Sequence, residues 1–84
     1  MTEYHDEATA QVRLQLTEAL QQVDRGRKLT RDASSCAEHL DHAQAAADAA
    51  TAALQAGDLD AAERQINIGF TELAVYEYCV VTTS

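Results

Sequence analysis

The sequence predicts an all-α protein, an antiparallel three-helix bundle that associates with further copies of itself. Three observations lead there: apolar residues recur at helical spacing in three segments, two glycines punctuate a chain without proline, and alanine dominates the apolar content. Of 84 residues, 39 are apolar by the broad count, but 17 of these are alanine, and Leu, Ile, Val and Phe together number only 16. With a net charge of −8, a core must therefore come from patterning rather than from bulk hydrophobicity. The length sets an expectation of one domain, residues 1–84.

The helices are expected at about 3–25, 30–56 and 58–80. Helix one opens with Thr2 as a cap and with Glu3, Asp6 and Glu7 in or near its first turn, where negative charge complements the dipole. Ala8, Val12, Leu16, Ala19 and Val23 form its stripe, which Leu20 widens. Gly26 is read as its end and Thr30 as the cap of the next helix. Helix two carries Leu29, Ala33, Cys36, Leu40, Ala43, Ala47, Ala50 and Leu54, an unbroken 4-3 alternation. Helix three, opened by Asp58 after Gly57, carries Leu59, Ala62, Ile66, Gly69, Leu73, Tyr76 and Val80.

The Gly57-Asp58 link is too short for anything but a hairpin, so residues equidistant from it should lie level. This pairs Ala50 with Ile66, Ala47 with Gly69, Ala43 with Leu73 and Leu40 with Tyr76. Gly69 is read as a packing residue that lets the two backbones approach. Leu-x-x-Gly-Asp-Leu-x-x-Ala-x-x-x-Ile, from Leu54 to Ile66, resembles the inter-helix turn of tetratricopeptide-type repeats and the last hairpin of histidine-phosphotransfer domains. The helices here are about twice tetratricopeptide length and show no 34-residue period. A phosphotransfer histidine would be followed by Lys-Gly, whereas Leu40 and Asp41 follow His39, so that chemistry is not implied.

The same counting puts Cys36 and Cys79 at one height, 21.5 residues either side of the turn. Three fates are open to them: buried reduced thiols, which is the plainest, a disulfide closing the hairpin, or metal and redox chemistry. Cys36, His39 and Cys79 would form the metal set, with zinc completed by His42, a carboxylate or another subunit. The plainer reading of His39 and His42 is solvated helix residues, with Glu38 one turn before His42.

Arg25, Arg27, Lys28 and Arg31 gather four of the six bases into seven residues. Cations at a helix C-terminus account for most of this. The sharper reading is a patch for an anion or an acidic partner, a second copy included. Over the rest of the surface 14 acids repel nucleic-acid backbones and anionic membranes, so direct binding to either is not expected. Neither a run of apolar residues long enough for a membrane span nor a secretory leader is present, which sets the expectation of a soluble, cytoplasmic chain.

Leu14, Ile68, Val75, Tyr78 and Val81 lie off the seams. Alanine buries little area, so a bundle of this size gains from association, and Ile68, Val75, Tyr76 and Tyr78 are the expected contact. A nucleophile elbow, a phosphate-cradling glycine loop and a Cys-x-x-Cys are all missing, which points away from catalysis. The expected function is thus a small acidic interaction or regulatory module acting on itself and on an unidentified protein, with no cofactor. The rivals are an acidic inhibitor that mimics nucleic acid, and a Cys/His metal or redox sensor.

Overall fold

The computed structural model describes the backbone of residues 2–29 and 36–83 and the side chains of 7–28 and 36–82. It is a three-helix bundle: α1 (Thr2–Leu29), α2 (Ala37–Gln55) and α3 (Leu59–Thr83). The bundle is 50 Å long and 17 by 16 Å across. Helices α2 and α3 form the tightest pair, and α1 packs on both.

The α2–α3 turn follows from its two residues. Gly57 adopts φ of +78°, the left-handed conformation that ends helices at glycine. The Asp58 N–H donates to the Ala53 carbonyl and the Gly57 N–H to the Leu54 carbonyl, the paired bonds of a Schellman motif. Asp58 then caps α3, its carboxylate accepting from the Ala61 N–H at 3.1 Å.

Two clusters fill the interior. Near the turn, Val12 and Leu16 of α1 meet Ala47 and Ala50 of α2 and Ala62 and Ile66 of α3. Towards the other end, Ala19 and Val23 meet Cys36, Leu40, Ala43, Leu73 and Tyr76, and Phe70 packs against both groups. These are the stripes expected from periodicity, in the antiparallel register counted from the turn. Val12 sits with the start of α3 and Val23 with its later turns, so α1 and α3 run parallel.

Three expectations are corrected. Gly26 does not end α1, which runs through it to Leu29. A glycine costs a helix interior about 1 kcal/mol relative to alanine, yet here a side chain has no room: a Cβ on Gly26 would stand 2.9 Å from Leu40 Cδ2 and 3.3 Å from Tyr76 Cε2. Helix α2 begins at Ala37 rather than near residue 30, and Thr30, Arg31 and Ala33 lie outside the described residues. Val80, placed on the seam, is 37 % exposed and lies beyond the level of Ala37, where α2 starts.

Gly69 is helical and buried, as expected, but it is not a point of forced approach. A Cβ there would meet the Ala43 carbonyl oxygen and the Ala46 Cβ at 3.7 Å each, ordinary van der Waals contact. Gly69→Ala is therefore expected to stabilise the fold by about 0.5–1 kcal/mol, through backbone entropy lost from the unfolded chain and better helix propensity. Urea unfolding of the two proteins measures it, and a destabilised variant would show that the seam is tighter than this geometry.

Candidate functional site

Cys36 and Cys79 are joined as a disulfide across α2 and α3, with Cα atoms 5.7 Å apart. Equal distance from the turn brings the thiols to one height, and both face the seam. This corrects the plainest expectation, two reduced thiols, and also the Cys36/His39/Cys79 metal set. Both sulfurs are committed to each other and have no thiolate to offer an ion. His39 turns instead to a residue that sequence reasoning did not select.

That residue is Glu72. His39 Nδ1 lies 3.0 Å from Glu72 Oε2 and His42 Nδ1 lies 3.6 Å from the same oxygen. The two imidazoles are edge-to-face, with centroids 6.2 Å apart. His39 and Glu72 are part-buried, whereas His42 is about half exposed. Residues three apart on a helix share a face, which brings His39 and His42 together. Counting from the turn sets Ala43 level with Leu73, and His42 and Glu72 are their immediate neighbours in sequence, so the arithmetic of the hairpin held the signal for this cluster as well.

The hydrogen bond from His39 holds the Glu72 carboxyl below its ordinary pKa; partial burial opposes the shift, and the charges of His42 and His39 add to it. A carboxylate whose pKa falls on folding contributes stability that is complete above its ordinary value and is lost as pH drops through the lowered one. Glu72→Gln is accordingly expected to narrow the stability difference between neutral pH and a pH below the ordinary carboxylate value. Denaturant unfolding at both pH values tests this, and an unchanged difference would remove the role of Glu72 in acid sensitivity.

Among the described residues of the basic cluster, two cations have carboxylate partners. Arg27 pairs with Asp41 at 3.1 Å, and Lys28 pairs with Asp24, one turn earlier, also at 3.1 Å. Arg31 lies outside the described residues. Both pairs are exposed and worth under about 1 kcal/mol each, but they place a carboxylate beside each cation and so weaken its pull on an external anion. Arg25 lines an open groove of about 520 Å³ between α1 and α3, together with Gln22, Leu73, Tyr76 and Glu77.

Among the four residues expected at an apolar contact, three are at the surface: Ile68, 45 % exposed, Val75, 41 %, and Tyr78, 72 %. Tyr76 is not among them. Only 7 % exposed, it sits in the core and its hydroxyl donates to the Gly26 carbonyl at 3.2 Å. That carbonyl belongs to the last turn of α1. Tyr76 thus joins α3 to the end of α1 by packing and by a hydrogen bond.

The fold and this side-chain cluster define the class: an all-α three-helix bundle with a cross-linked helical hairpin and a His/Glu group beside the cross-link. Comparison with family models, with curated proteins and with solved structures finds no match to the chain. Among the described residues, no helix is long and apolar enough to cross a membrane.

Proposed function

We propose that this chain is a small, acidic, non-catalytic interaction module that works as a self-associated helical bundle, with α3 at the contact. The observation that carries this reading is the row of large apolar side chains exposed on α3. Ile68 and Val75 lie seven residues apart on one strip, and Tyr78 follows on the adjoining one.

The composition of the core supports it. Six of the fourteen buried apolar residues described are alanines, and Leu40 is the only bulky aliphatic side chain that α2 buries. Full burial of a leucine is worth about 1.5–3 kcal/mol, and alanine contributes much less. Covering Ile68, Val75 and Tyr78 in a symmetric contact would add the area that the interior lacks. The absence of a recognisable nucleophile motif in the sequence favours an interaction role over catalysis. The disulfide ties the reading to an oxidising compartment, or to a bond that forms and breaks as conditions change, since reducing cytosol keeps thiols free. A cytoplasmic location therefore fits this module only in the second case.

Light scattering on the eluted protein tests the proposal directly. The wild-type chain is expected to elute at the mass of two chains or more, and Val75→Glu with Tyr78→Glu is expected to return it to one. Both substitutions lie at exposed positions, so the helical content should hold. A monomeric wild type, or a double variant of unchanged mass, would overturn the placement.

A further inference from the structure

We propose that His39, His42 and Glu72 bind one divalent transition-metal ion, a role independent of self-association. The three side chains each bring one ligand atom, and these atoms all lie within 4.8 Å of one another. Zinc takes imidazole nitrogen at about 2.0–2.1 Å and carboxylate oxygen at about 2.0–2.2 Å, so two donors on a tetrahedral ion stand about 3.3 Å apart. The distances of 3.0 and 3.6 Å from Glu72 Oε2 to the two histidine nitrogens bracket that value. Closing the set requires a rotation of His42, whose half-exposed side chain has room to make it.

The donor set selects the kind of ion. Two imidazoles and one carboxylate suit zinc, copper(II), nickel or cobalt, whereas calcium and magnesium call for a shell of oxygens. Three protein ligands leave a fourth position for water. The helical segments that carry the donors are also tied to each other. His39 and His42 stand on successive turns of α2, Glu72 projects from α3, and the Cys36–Cys79 disulfide pins the two helices together one turn from His39. The backbone positions that carry the site are thereby set in the fold before an ion arrives. A net charge of −8 raises the local concentration of cations. The plain rival is a structural His–Glu hydrogen bond that takes up no metal.

Calorimetric titration of the oxidised, chelator-treated protein with Zn²⁺ decides between them; oxidised protein is used so that free thiolates do not compete. The expected result is one ion per chain, with the ¹⁵N resonances of both imidazoles shifting as it binds. Loss of a supporting residue outside the ligand set commonly weakens a metal site by about 10–100-fold, so His39→Gln, His42→Gln and Glu72→Gln, each removing a ligand, should each cost at least that much. His42→Gln guards against a folding artefact, since His42 lies outside the buried core and circular dichroism of its apo form should match the wild type. No uptake of Zn²⁺, or uptake that persists at full strength in any of the three variants, would overturn the assignment.

Discussion

Reducing the Cys36–Cys79 bond, or replacing both cysteines by alanine, is expected to destabilise the protein by about 2–4 kcal/mol, the usual range for one cross-link. The bond spans 43 positions, so it closes just over half of the 84-residue chain into a loop, and the entropy it removes from the unfolded state grows with that length. A domain of this size has a total stability of about 4–13 kcal/mol. The alanine-rich interior described above places this one in need of such a staple. A change of that size lowers Tm by roughly 10–30 °C in a domain of this length. Thermal unfolding with and without reductant, at one protein concentration because association shifts Tm by mass action, measures it. A Tm indifferent to reductant would mean that residual structure in the unfolded chain already restrains it as well as the bond does.

Leu40→Ala carries the second large effect, a loss of about 3 kcal/mol. Leu40 is 1 % exposed, and it fills the space that Gly26 leaves open. Its neighbours Ala43, Cys36 and Gly26 are too small to collapse into the cavity. The more telling experiment couples the two positions. Gly26→Ala alone sets a methyl 2.9 Å from Leu40 Cδ2, and overpacking of a core costs about 1–3 kcal/mol against a gain in helix propensity of about 1 kcal/mol. A net loss of about 1 kcal/mol is expected. In the Leu40→Ala background that obstruction is gone, and the same substitution should stabilise, since it adds helix propensity and fills part of the void. Urea unfolding of the four proteins completes the cycle. Additive effects would show that Gly26 and Leu40 do not share the space assigned to them.

Periodicity rests on the 3.6-residue repeat of the helix alone, which is why the stripes are legible in the order of the residues. Val12, Leu16, Ala19 and Val23 on α1, Leu40, Ala43, Ala47 and Ala50 on α2, and Ala62, Ile66, Leu73 and Tyr76 on α3 are buried as that repeat predicts. The hairpin register is legible too, because a two-residue turn leaves one way to align the helices. It brings Cys36 level with Cys79, and the structure joins them. Local chemistry decides the turn, with Gly57 left-handed and Asp58 as the cap.

The corrections have a different origin. A glycine followed by bases reads as a helix end whether or not a neighbour occupies the space beside it. Gly26 lies inside α1, and Leu40 and Tyr76, fourteen and fifty positions away, pack where its side chain would be. Tyr76 lies on the periodic stripe and is also expected at the apolar contact; its burial beside Gly26, whose carbonyl accepts from its hydroxyl, decides between the two. Arg27 belongs to a run of bases in sequence and to an ion pair with Asp41 in space.

The amino-acid sequence by itself thus determined that this chain is three amphipathic helices, where the α2–α3 turn falls, and which residues share a level along the hairpin. These depend on backbone geometry and on interactions within a few residues. Packing between the helices is what joins Cys36 to Cys79, brings His39 and His42 to Glu72, and sets Leu40 and Tyr76 against the helical Gly26. A level fixes position along the bundle axis and leaves open the direction in which each side chain turns, and that direction is set by what the other helices place against it.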